Sequence, residues 1–144
     1  MNDIERGERK SRQRAIIFYL LTGVLIVNAV IGFLPLPADP DPASPRIVLG
    51  FWLVMVMLVV LNLLPTSRWR SGRIAALLDD ESTREHRRDG FTAGFWAAII
   101  CAGMLAILTS FHPLPATDVA KIVITAALAA ALTCFATLEL RAAR

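Results

Sequence analysis

Four runs of apolar residues, each about twenty long, alternate with polar stretches: Ala15 to Leu34, Ile47 to Leu64, Phe91 to Ser110 and Val119 to Leu138. A helix needs about 20 mostly apolar residues to cross the hydrocarbon core of a bilayer, so each run predicts one spanning helix. No acidic residue lies in any of them, and Lys121, close to one end of the fourth run, is their one basic residue. The expected fold class is all-α, a four-transmembrane-helix bundle. Residues 15–144 form a single membrane domain, preceded by a basic cytoplasmic segment at 1–14 and divided by a cytoplasmic loop at 65–90.

A secretory signal has an apolar region of only about 7 to 15 residues. The first run exceeds that, so it is expected to be a retained anchor. The segment before it, MNDIERGERKSRQR, is read as frayed or lying on the surface. Pro35, Pro37, Pro40, Pro42 and Pro45 predict a stiff extended connection between the first two spans, because proline fixes φ and removes a backbone donor. Pro65 closes the second span. Beyond it Trp69 stands between Arg68 and Arg70 as an interfacial anchor, and Ile74, Ala75, Leu77 and Leu78 fit a short amphipathic surface helix.

The third helix is expected to start before the membrane. Ser82 followed three residues later by Glu85 is a capping box, with Asp79, Asp80 and Glu81 adding negative charge at the positive end of the dipole. Along this helix Gly90, Gly94, Ala98, Ala102, Ala106 and Ser110 recur every four residues. Small residues let a second backbone approach closely, and in lipid the attraction between helices comes from such packing. The ridge drifts around a helix of 3.6 residues per turn, which implies a crossing or more than one neighbour. The Ala-rich fourth span, with Thr125, Thr133 and Thr137, is the expected partner, capped outside by Thr117 or Asp118.

An internal match supports two hairpins of like orientation. A shift of 78 residues lays Phe33, Pro35, Leu36, Pro37 and Ala38 over Phe111, Pro113, Leu114, Pro115 and Ala116. It also pairs Arg6, Arg9 and Lys10 with Arg84, Arg87 and Arg88. Parallel repeats related by an axis along the membrane normal are one way to build such a bundle.

Composition agrees with the pattern and charge orients it. The chain is 56% hydrophobic, with a formal charge of +3 and a mean hydropathy of +0.57. All 15 Lys and Arg except Arg46 and Lys121 fall on the side of the N-terminus. By the positive-inside bias both termini and the central loop are expected in the cytoplasm of a bacterial inner membrane. Anionic headgroups of the inner leaflet are then partners, and nothing in the charge calls for nucleic acid.

The spans offer little chemistry. Membrane-embedded ionisable groups ordinarily mark transport or catalysis, and none lies at mid-depth. His86 and His112 stand at or beyond span ends on opposite sides, which does not suit axial haem ligation. Cys101 and Cys134 differ in depth by about 9 Å at the helical rise, too far for a disulfide. Glu81 and Glu85, spaced i,i+4, suggest a divalent-cation site with Asp79 or His86, but Arg84, Arg87 and Arg88 oppose it. No catalytic, cofactor-binding or metal-ligating residue is assigned, and no cofactor is expected.

The run DDESTREHRRDGFTAGFW resembles a segment before the third span of small bacterial four-helix integral membrane proteins, themselves uncharacterised. It matches their Asp-Glu-x-Thr-x-x-x-Arg-like pattern through Asp80, Glu81, Thr83 and Arg87. The resemblance covers about seventeen residues and the layout of spans, and implies an accessory or regulatory protein. The expected function is therefore non-enzymatic: helix packing plus a cytoplasmic interface at Asp80, Glu81, Thr83, Arg84, Arg87 and Arg88, serving a homo-oligomer or a membrane or cytoplasmic partner. The alternative is a small oligomeric transporter or channel subunit in which Thr22, Asn28, Thr125 and Thr133 line a path.

Overall fold

The computed structural model describes residues 3–31, 44–63 and 81–142. All form helices but the short link 112–115: α1 (Asp3–Ile31), α2 (Ser44–Leu63), α3 (Glu81–Phe111) and α4 (Ala116–Ala142). The connections at 32–43 and 64–80, with the Pro35 to Pro42 turn, Trp69 and the expected surface helix, lie outside the described residues.

Three helices are long and apolar enough to cross a membrane, over Arg46–Leu63, Arg84–Phe111 and Ala116–Ala142. The apolar part of α1, Ala15–Ile31, is shorter as described. The basic segment is not frayed: from Asp3 it forms one helix with the apolar segment Ala15–Ile31. The sequence spaces Glu5 from Arg9 and Glu8 from Arg12 by four residues, with the acid N-terminal, an order that favours helix.

Helix ends shift by small, explicable amounts. Pro45 stands in the first turn of α2 rather than in the loop, where its missing N–H is no loss. α3 begins at Glu81, so Ser82 lies inside its first turn instead of capping it. Neither Thr117 nor Asp118 caps α4. The Pro115 carbonyl accepts the N–H groups of Asp118 (2.9 Å) and Val119 (3.2 Å), so the helix starts earlier and Asp118 sits in its first turn, toward the positive end of the dipole.

α4, not α3, is the central element. It packs along both α3 and α1, whereas α1 and α2 touch over a short length. Of the three long apolar segments, its own is the most buried, 28% against 17% for Arg46–Leu63 and 11% for Arg84–Phe111. Contacts fix the directions. Phe18 meets Phe135 edge-on at 5.0 Å and Tyr19 meets Thr137, both close to the end of α4, while Leu25 and Ala29 further along α1 are buried; α4, which packs along α1, therefore runs back antiparallel to it and covers them. Trp52 meets Thr125, while Val59 and Leu63 cluster with Leu132, so α2 and α4 run parallel. One end of the bundle therefore gathers the starts of α1 and α3 with the finishes of α2 and α4, and is called the charged end below.

The core lies between α1, α2 and α4. Val59 and Leu132 are fully buried with Leu63 beside them, and Phe18, Leu21 and Leu128 close the cluster. Outward faces are apolar: Leu20, Val27, Phe51, Met57, Phe95, Ile100 and Met104 are all exposed. In water such a surface would aggregate; against lipid tails it is neutral.

The two expected hairpins pack unlike each other. Positions 78 residues before Gly90 and Gly94 hold Arg12 and Ile16, so α1 has no small-residue counterpart to the surface that α3 offers α4.

Candidate functional site

The expected ridge divides into two parts. Gly90 and Gly94 are buried against α4, and Ala98 is half-buried. A Cβ on Gly94 would stand 2.8 Å from the Ala127 carbonyl oxygen and 3.0 Å from the Ala131 Cβ. One on Gly90 would stand 3.1 Å from the Ala131 carbonyl oxygen. Ala102, Ala106 and Ser110 are exposed. Each four-residue step turns about 40° beyond a full circle, and three steps from Gly94 carry the ridge off the α4 contact by Ala106.

Trp52, Thr22, Thr137 and Tyr19 are each satisfied within the bundle, as a low-dielectric surround requires. The Trp52 indole N–H donates to the Thr125 hydroxyl at 3.3 Å, a buried bond tying α2 to α4. The Thr22 hydroxyl donates to the Phe18 carbonyl at 2.8 Å. The Thr137 hydroxyl donates to the Thr133 carbonyl at 2.6 Å, leaving Tyr19 to donate to Thr137 at 2.9 Å. Asn62 does not pack against another helix. It is exposed and donates to the Leu58 carbonyl at 2.8 Å, while Asn28 is half-buried.

The Trp52 to Thr125 bond yields a prediction. Trp52→Phe and Thr125→Val should each destabilise, and the double variant should reveal a coupling of about 0.6 kcal/mol, with 1.7 kcal/mol a ceiling. A double-mutant cycle on unfolding in mixed micelles measures it, and additive effects would remove the bond from the account.

At the charged end Asp80 lies outside the described residues, and Glu81 and Thr83 stand in the first turn of α3, whose side chains are not described. Arg84, Glu85, Arg88 and Asp89 are exposed, and Arg87 is half-buried. The described residues bring together no group of three or more His, Cys, Asp or Glu suited to a metal. Cys101 and Cys134 are free thiols, both half-buried. The ion pair at the other end joins Lys121 to Asp118 at 3.8 Å.

Burial marks two further groups. Glu139 is 6% exposed and engaged with a partner. His86 has a buried Nδ1 with no hydrogen-bond partner. Spacing carried both signals. Glu139 follows Leu132 and Phe135 by seven and four residues, and His86 precedes Gly90 by four, so each continues a buried face. Gly94 lies over Ala127 and Ala131, and Gly90 over Ala131 and Phe135. The next step of that register carries His86 toward the turn of α4 that holds Glu139.

Apolar helices of spanning length and an outward surface of aliphatic and aromatic side chains define the class: an α-helical, membrane-embedded protein. No protein-family model matches the chain, and no curated protein or solved structure matches it either.

Proposed function

We propose that the chain is a non-enzymatic protein of the bacterial inner membrane, with both termini cytoplasmic, that acts through contacts in an accessory or regulatory role. The observation carrying this reading is the length of α3. Its 31 residues span about 46 Å at 1.5 Å per residue, against roughly 30 Å of hydrocarbon. A span over Phe91 to Ser110 leaves more than two polar turns outside, anchored to α4 by Gly90 and Gly94. They hold Arg84, Glu85, Arg88 and Asp89 in a fixed, exposed array. That array, with Asp80, Glu81, Thr83 and Arg87, is the interface offered to a second subunit or a cytoplasmic protein.

A photo-crosslinker placed at Glu85 or Asp89, in native membranes, tests the reading. One discrete crosslinked species, a dimer or a defined heterocomplex, is expected. Failure to crosslink at either position, with the protein intact in the membrane, would refute the interface. The rival reading, a small oligomeric transporter or channel subunit, is tested by solute flux in proteoliposomes. Thr22 and Thr125, expected to line its path, bond instead to Phe18 and Trp52 within the bundle.

A further inference from the structure

We infer that α3 carries a discrete site for an anionic phospholipid, built from Arg84 and Arg88 above Phe91 and Phe95. The inference rests on the membrane-embedded reading and narrows the interface by assigning these two arginines to lipid. At 100° per residue, positions 91, 84, 95 and 88 fall within a sector of about 60° on the helix. This sector lies away from Gly90 and Gly94, which face α4. All four side chains are exposed, Phe91 by 51% and Phe95 by 61%.

Charge decides the occupant. Arg84 and Arg88 are spaced i,i+4, an arrangement in which like charges repel. Among the described residues neither forms an ion pair, although Glu85 and Asp89 are close in sequence. An anion lying between the two guanidinium groups relieves that repulsion. Two forks of N–H donors suit a phosphate's oxygens in a way that point charges do not.

Depth decides that the phosphate belongs to a lipid. With the span beginning at Phe91, Arg88 lies about 4.5 Å outside the hydrocarbon and Arg84 about 10.5 Å, within reach of the headgroup layer. Phe91 and Phe95 lie below them at the glycerol and upper acyl level, where aromatic rings settle. A soluble anion would have no use for that apolar half of the stripe, and a phospholipid uses both halves.

The site can be read through Trp96, which is 56% exposed and meets Phe95 edge-on at 5.9 Å. The full chain carrying Trp69→Phe is reconstituted in phosphatidylcholine vesicles. Brominated phosphatidylglycerol or brominated phosphatidylcholine is then added at equal mole fraction and the quenching compared. Stronger quenching by the anionic lipid is expected. Each basic residue near the surface is worth roughly fivefold in binding, so Arg84→Gln with Arg88→Gln should lower the preference by roughly 25-fold. Arg12→Gln, which removes an exposed arginine on α1, should leave it intact. Equal quenching by the two lipids, a preference unchanged by the double substitution, or an equal loss in Arg12→Gln would each overturn the site. Quenching by neither lipid would bring down the membrane embedding itself, a different result from equal quenching by both.

Discussion

Gly94→Ala is expected to destabilise the protein by about 1 to 3 kcal/mol, the range for forcing an added methyl into a packed contact. Helix propensity argues the other way, since alanine is favoured over glycine in a helix interior by up to about 1 kcal/mol. Packing wins because the obstacle is the Ala127 carbonyl oxygen at 2.8 Å, which is backbone and cannot rotate aside. The α3 and α4 axes must move apart, and the contacts of Gly90 with Ala131 and Phe135 loosen together with those of Gly94. Gly94→Leu should be worse, with loss of the folded protein from the membrane. Gly103→Ala is the internal control: nothing lies within 4 Å of its would-be Cβ, so the propensity term stands alone and the variant should be neutral or slightly stabilised. Unfolding in mixed micelles measures all three. If Gly94→Ala matched Gly103→Ala, the close approach of α3 to α4 would be refuted.

Leu132→Ala is the second large effect, expected at about 2 to 5 kcal/mol. Leu132 is fully buried and meets side chains from α1 and α2 where the three helices converge. In lipid the loss is not one of water exclusion. It arises because the cavity forfeits dispersion contacts that neither lipid nor water can refill. Met104→Ala removes a comparable side chain that is 68% exposed, and should cost little because lipid occupies the space. If the two substitutions behaved alike, the core would lie elsewhere.

Much of the architecture was legible in the sequence. Apolar runs of spanning length gave the helices, because a backbone in hydrocarbon must bond to itself. Pro113 and Pro115 fall in the described link between α3 and α4. Helix ends were read less well. At Pro115 and Pro45 the chain became helical earlier than side-chain capping rules suggested, since proline's φ already suits a first turn. The basic segment before Ala15 was misjudged, because polar composition was weighed above the acid-to-arginine spacing that supports helix.

The charged end was legible only in part. Arg84 and Arg88 could be named from charge, but their separation from α4 required the direction of the Gly90 and Gly94 face. His86 and Glu139 look like helix-end residues until their burial is known. Which helix occupies the centre is hidden in the sequence for a related reason: small residues on α3 show that something comes close, and only the fold shows that α4 receives α1 and α2 as well.

Sequence alone marked the apolar segments that the described helices carry and where the positive charge accumulates, because those follow from local hydropathy and composition along a single strand. The fold decided which faces meet, that a side chain at Gly94 would strike the α4 backbone while one at Gly103 would meet nothing within 4 Å, and that a cationic and aromatic stripe stays open beside the α4 contact. Those outcomes depend on the angle at which one helix crosses another, a quantity set by many weak packing contacts summed over the whole interface rather than by any residue alone.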